Sequence, residues 1–371
     1  MVLLGRMSTD TSTPTPPFLG AHALVVGASG ITGSALVEKL TAGGWEVSGL
    51  SRNPVEGSSA RHVRADLRSA DSLAQALAEL RPTHVYFCAW SKQDTEAENI
   101  RVNKAMVADL LAALAPGRSV RHVALVTGLK HYLGPFEAYA QGEMPDTPFH
   151  EDAERLPVEN FYYAQEDALF EAAARQGFTW SVHRSHTVIG HAVGNAMNMG
   201  STLAAYAAIC RAEGRPFVFP GSATQWNSLV DMTDAGQLAD HLVWASTTET
   251  AADQAFNVVN GDVFRWRWMW PRLAEALGVE PVGFSGSPQP LEEQMADAEP
   301  VWARVVAEHG LVEPDLSRVA SWWHTDSDLG RDIEVLADMS RSRLLGFTGY
   351  VRTEDSFRRL FDRYRADRVV P

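Results

Sequence analysis

The heptapeptide Gly27-Ala-Ser-Gly30-Ile-Thr-Gly33 lies directly after an apolar run, Ala23-Leu24-Val25-Val26, and directly before an amphipathic stretch at 34–40. A buried strand that passes through three glycines into a helix turns sharply, lets the backbone approach a pyrophosphate and sets the helix on the sheet with its N-terminus toward the phosphates. Glycines also serve ordinary tight turns. Here the strand–turn–helix context makes Gly27, Gly30 and Gly33 the expected cradle of a dinucleotide.

The rest of the first half repeats the theme. Strands are expected at 46–50, 62–64, 83–88, 120–126 and 179–183, alternating with helices at 72–80, 96–115 and 161–176. Strands alternating with helices of this length give a parallel sheet covered on both faces. The fold class is therefore α/β, a doubly wound Rossmann sheet. After Arg184 the regularity loosens, with helices at 203–213, 234–247 and 266–277 between irregular stretches. This predicts a smaller, mainly helical C-terminal lobe for substrate. The expected organisation is a Thr/Ser/Pro-rich disordered leader over 1–20, with Met7 an alternative start. A dinucleotide-binding unit follows over 21–190 and a substrate lobe over 191–371, from which some segments return to the sheet.

Charge and cysteine usage narrow the class. The 46 acidic residues against 32 Lys+Arg give a net charge of −14. Such a surface repels phosphate backbones and disfavours nucleic acid or an anionic membrane as a general partner. No apolar run reaches the ~18 residues of a membrane span, so a soluble cytoplasmic protein is expected. Cys88 and Cys210 both lie in apolar surroundings, which predicts two buried free thiols and no disulfide framework.

The end of the second strand bears on which dinucleotide binds. NAD sites place an Asp or Glu there for the ribose 2′-hydroxyl, and NADP sites offer Arg to the 2′-phosphate. The chain reads Leu50-Ser51-Arg52-Asn53, with no carboxylate after Glu46. Arg52 offers the phosphate a forked, charge-assisted contact, and NADPH is the expected cofactor; the alternative is a solvated loop arginine. Asp66-Leu67 closes the third strand and Ala89-Trp90 the fourth, at the carboxyl edge where such ligands sit.

Two further segments carry possible chemistry. Lys130, in Thr127-Gly-Leu-Lys130-His131-Tyr132, follows a buried strand beside the expected nicotinamide; otherwise it is a loop lysine turned to water. Asn160-Phe161-Tyr162-Tyr163 opens a helix where many dehydrogenases of this fold carry Tyr-x-x-x-Lys, but Glu166 and Asp167 stand at that spacing. A phenol needs a nearby cation to become acidic enough near neutral pH, and Lys130 is the candidate from another element. Otherwise both tyrosines are structural helix-start residues.

Thr127 through Glu137, Asn160 through Tyr163, and Trp180-Ser-Val-His183-Arg184 together resemble the progesterone 5β-reductase/iridoid synthase-like family of atypical extended short-chain dehydrogenases. Ala207 to Cys210, Ala255 to Phe264 and Glu299-Pro-Val-Trp302 extend the likeness to nearly the whole chain from Ala21 on. The resemblance implies NADPH-dependent 1,4-reduction of an enone or enal and, often, a homodimer. It implies Lys130 and Tyr162 as catalytic residues. It implies cofactor contacts at Ser29, Gly30, Ile31, Arg52, Asn53, Asp66, Leu67, Ala89, Trp90 and Ile189. Two positions depart from the family pattern. Ser185-His186 replaces Pro-Gly, and Ala89 replaces a Thr before Trp.

On this reading Tyr162 stabilises the enolate oxygen and Lys130 supports it, for a small hydrophobic substrate. Phe136, Met197, Met199 and Tyr206 are expected pocket walls, whereas Trp266 and Trp270, one turn apart, fit core packing. The histidines at 183, 186, 191 and 241 lack a regular ligand spacing, so no metal is expected. Reduction of a C=O or C=N group in a bacterial natural product is the alternative within enzymes. A non-catalytic NADPH-sensing regulator is the alternative outside them.

Overall fold

A computed structural model describes residues 20–371 except Glu56, residues 136–144 and Ala196. The expected leader and Phe136 lie outside the described residues.

Seven parallel strands form the central sheet: β1 (His22–Val26), β2 (Glu46–Ser51), β3 (Arg61–Arg64), β4 (His84–Phe87), β5 (His122–Gly128), β6 (Thr179–Ser185) and, much later in the chain, Gln254–Val258. Apolar residues run through both faces of the central strands, as a doubly covered sheet requires. Helices α1 (Ile31–Ala42), α2 (Ala70–Leu77), α3 (Glu96–Leu114) and α5 (Phe161–Gln176) connect the strands, and a single turn, α4 (Lys130–Leu133), follows β5. Ser69, Thr95 and Asn160 cap α2, α3 and α5 through their side chains, satisfying N–H groups that have no partner within the helix.

The second half adds β7 (Val188–Ile189), α6 (Met199–Glu213), β8 (Phe217–Val218), α7 (Ala223–Asn227), β9 (Thr233–Asp234), α8 (Ala235–Thr247) and β10, the returning strand Gln254–Val258. It continues with α9 (Trp266–Leu277), β11 (Pro281–Val282), α10 (Leu291–Gln294), α11 (Ala298–His309), α12 (Trp322–Leu329), α13 (Ser340–Leu344) and α14 (Thr353–Ala366). The sheet order is β3-β2-β1-β4-β5-β6-β10, so the direction of strand addition reverses between β1 and β4. Ligands bind at the carboxyl edge of such a switch point.

Among the described residues the three largest apolar cores follow from this layout. α2, α3 and α5 cover one sheet face, and α1 and α8 cover the other. The third core belongs to the second half and is built from α6, α9, α11 and α14. Trp266 and Trp270 are buried in it, as their one-turn spacing predicts. Met199, Tyr206 and Ile189 are buried there too, which corrects two of the expected pocket walls: the Tyr206 hydroxyl is held by the Val218 carbonyl and Gln294. Cys210 is fully buried, but Cys88 is only partly so, contrary to the expectation of two buried thiols.

Candidate active site

The glycine turn is built as its sequence demands. Gly27 has φ +83°, a conformation costly for any side chain, and its amide closes onto Leu50. A β-carbon at Gly33 would overlap the Gly27 carbonyl, so only glycine lets α1 come this close to the strand end. Gly30 has its nearest such neighbour at 3.4 Å, leaving the helix N-terminus open above the turn. The cleft that begins here has a volume of about 950 Å³. Gly27, Ser29, Gly30, Arg52, Asp66, Leu67, Ala89 and Trp90 all line it. Met197, Trp322 and Trp323 face them from the second half. The Lys92 ammonium stands 3.7 Å above the Trp323 ring. Ile31, Asn53 and Ile189 are absent from the described wall; Ile31 is packed against Ala192 and Ala235 instead.

Arg68, which sequence reading passed over, is on the same wall as Arg52. It grips Asp66 through its backbone N–H at 3.0 Å and its guanidinium, and this holds the Asp66 carboxyl below the usual range. The glycine cradle and the helix N-terminus above it fit the pyrophosphate of a nicotinamide dinucleotide, with Arg52 and the Asp66-bound Arg68 on the same wall.

At the other end of the switch point, β5 delivers Gly128 and, two residues on, Lys130. A β-carbon at Gly128 would lie 3.3 Å from the Tyr162 hydroxyl oxygen, so the phenol rests on the end of β5. The tyrosines at 162 and 163 do different things. Tyr163 donates to the His131 carbonyl at 2.6 Å and accepts from the Leu156 N–H at 3.0 Å, and burial pushes its pKa up. Tyr162 is partly exposed and stands beside Phe161, whose ring stacks on Trp90 at 5.7 Å. It is thus one ring beyond the cleft wall, since neither Tyr162 nor Lys130 lines the described part of that wall. Glu166 and Asp167, which occupy the usual lysine spacing, are both bound by Arg155.

Lys130 is 8% exposed. Burial pulls its ammonium down to about 7, with Glu96 and Asp328 opposing the fall and Arg331 and Lys92 adding to it. Glu96 also accepts the Phe161 N–H at 2.7 Å, so one carboxylate both anchors the start of α5 and faces Lys130. Asn160 donates to the Lys130 carbonyl at 2.8 Å and accepts the Tyr162 N–H at 3.0 Å.

Residues 23–258 match the model of the NAD dependent epimerase/dehydratase family. The chain is 39% identical to the 3-oxo-Δ(4,5)-steroid 5β-reductase of Arabidopsis thaliana over 380 residues, covering 99% of this chain and 97% of that one. It is 39% identical to the (S)-8-oxocitronellyl enol synthase of Camptotheca acuminata, with 94% and 93% covered. The chain belongs to the progesterone 5β-reductase/iridoid synthase-like family.

Solved structures place this family member within a wider fold. The UDP-glucose 4-epimerase of Thermotoga maritima superposes with a TM-score of 0.63 at 15% identity, covering 93% of this chain and 99% of that one. The Thermus thermophilus enzyme, in complex with NAD, gives 0.60 at 19%, again over 93% and 99%. At these identities the likeness is one of fold alone.

Several site groups of this reductase-family chain left no readable signal in the sequence. Glu96 is part of a helix-start pattern, Thr95-Glu96-x-Glu98, that gives no hint of its second role. Trp322 and Trp323, unplaced by sequence, line the cleft. His186 is buried and hydrogen-bonded to Asp231, while His183 and His241 meet each other at 3.0 Å inside the fold. Among the described residues no group of three or more His, Cys, Asp or Glu is arranged to hold a metal ion, and no helix is long and apolar enough to cross a membrane.

Proposed function

We propose that this protein is an NADPH-dependent reductase of activated C=C bonds, acting on a small hydrophobic enone or enal. The observation that carries this reading is the placement of the Tyr162 phenol on the end of β5, backbone-tied through Asn160 to Lys130. The names of the relatives agree: one is a 5β-reductase of a 3-oxo-Δ(4,5)-steroid, the other an 8-oxocitronellyl enol synthase.

When bound, the cofactor supplies a hydride for the β-carbon of the acceptor. The glycine turn holds the pyrophosphate, and Arg52 with Arg68 favours a 2′-phosphate over a bare ribose. Tyr162 donates a hydrogen bond to the carbonyl oxygen while negative charge builds on it, a role worth ~10²–10³ in rate. Lys130 supports that role by holding the nicotinamide ribose and favouring a more acidic phenol. The α-carbon takes its proton from solvent, so no second strong acid is needed. The apolar wall of Met197, Trp322 and Trp323 suits a hydrophobic acceptor. The family resemblance is the basis for reading the enzyme as a homodimer, which sedimentation tests.

The deciding experiment follows NADPH absorbance with 2-cyclohexenone, a simple ketone and a cyclic imine in parallel. Consumption with the enone alone is expected. Consumption only with the ketone or imine overturns the choice of acceptor, and cofactor binding without consumption across a broad panel favours a sensor.

A further inference from the structure

Asp231, His186, Arg331 and Asp328 form a continuous chain of hydrogen bonds that the reaction as described does not use. A guanidinium N–H only donates, so at 3.1 Å His186 Nε2 must accept from Arg331. The ring proton then resides on Nδ1, which donates to Asp231 Oδ1 at 2.8 Å. Asp231 Oδ2 accepts the Ala337 N–H at 2.7 Å. On its other arm Arg331 pairs with Asp328, whose second oxygen accepts from the Thr187 hydroxyl at 2.9 Å. The His186 and Asp231 side chains are 4% and 1% exposed.

The Arg331–Asp328 end of this network lies within electrostatic reach of Lys130. His186 follows Ser185, whose register partner is Gly128, the residue under the Tyr162 phenol. The segment after Arg331 packs Ile333, Val335 and Ala337 against Leu129, Tyr132 and Leu133, on the turn that carries Lys130. Lys130 is therefore faced by Glu96 from α3, Lys92 from the loop before it, and Asp328 and Arg331 from the end of α12 and the turn after it. His186 is faced by Asp231 and Arg331, with Asp328 and, beyond it, His324 next in line.

We propose that His186 is a positioning residue: clamped by Asp231, it holds the Arg331–Asp328 pair beside Lys130 and so fixes the charge balance around that lysine. The consequence for turnover rests on the function proposed above; the consequence for Lys130 itself does not.

The chain has four lysines, which permits a direct test by NMR of the full-length protein labelled at lysine Cε, with Lys130 assigned by Lys130→Arg. Arg331→Met is expected to raise the Lys130 titration midpoint and Asp328→Asn to lower it, each by about half a pH unit or more. His186→Leu should move it in the Arg331→Met direction, and His186→Gln, which keeps an acceptor for Arg331, should leave it near the wild-type value. Asp231→Leu, which removes the acceptor for His186 Nδ1–H while nearly filling the same volume, should follow His186→Leu and serves if that variant does not fold. The pH limb of enone reduction should move in step. The proposal is overturned if neither His186→Leu nor Asp231→Leu shifts the midpoint, or if Arg331→Met and Asp328→Asn shift it the same way. Should the wild type consume NADPH with no enone, the function fails while the titration still decides this point.

Discussion

Lys130 and Tyr162 are joined through one side-chain amide: Asn160 donates to the carbonyl of the first at 2.8 Å and accepts the N–H of the second at 3.0 Å. The lysine comes from α4, the turn after β5, and the tyrosine from α5, and the cap of α5 ties one to the other. Asn160→Ala removes a helix cap and a buried hydrogen bond together. A loss of about 1–2 kcal/mol is expected in urea denaturation, along with a fall in turnover larger than the change in NADPH affinity.

The two adjacent tyrosines should separate cleanly. Tyr162→Phe is expected to leave NADPH affinity nearly intact while kcat falls ~10²–10³-fold. Tyr163→Phe strips the buried hydroxyl that serves His131 and Leu156. It should cost about 1–2 kcal/mol of stability and keep most of the activity. Interchanged outcomes would assign the chemistry to Tyr163.

Cofactor choice is expected to reside in two guanidinium groups. Replacing Arg52 or Arg68 with Ala should weaken NADPH binding roughly tenfold each and leave NADH binding little changed. Titration of cofactor fluorescence with both nucleotides checks this. Equal losses for NADH would mean that the arginines act on the common part of the cofactor.

Lys130 sets an expected pH dependence. Burial brings its ammonium down to about 7, so in the free enzyme the charged form is lost as pH rises through that value, and kcat/KM should fall on the alkaline side. The sign for stability is the opposite. The folded pKa lies below the unfolded one, so the buried charge weighs on folding at lower pH and ceases to do so as pH rises toward the unfolded pKa. Lys130→Met is therefore expected to be more stable than wild type by on the order of 2 kcal/mol near pH 6, with turnover largely lost. Denaturation and activity measured on the same preparation test both halves.

Much of the frame was legible beforehand because its signals are local. The glycine turn, the alternation of strand and helix through Ser185, and α5 and α9 at 161–176 and 266–277 follow from periodicity and from residues that only particular backbones accept. The strand Gln254–Val258 escaped notice because five residues, two of them polar (Gln254 and Asn257), flanked by irregular chain, carry too little pattern. It becomes a strand by pairing with β6. Met199 and Tyr206 were expected at the pocket because apolar residues look alike whether they face a cavity or a core; the packing of α6 buries them.

The chain's own order of residues determined that a dinucleotide cradle forms, that an arginine follows β2, and that a lysine and two tyrosines stand at element ends near the switch point. Those properties depend on neighbours within a few positions, through φ preference, capping and apolar period. That Tyr163 is spent on the His131 carbonyl and the Leu156 N–H while Tyr162 rests on the end of β5, that Arg68 joins Arg52, that Glu96 faces Lys130, and that His186 is hydrogen-bonded to Arg331 were decided only by the folded structure. Hydrogen bonds and charges act over a few ångströms in space, and residues such as His186 and Arg331, 145 positions apart, meet only once the sheet and lobe have packed.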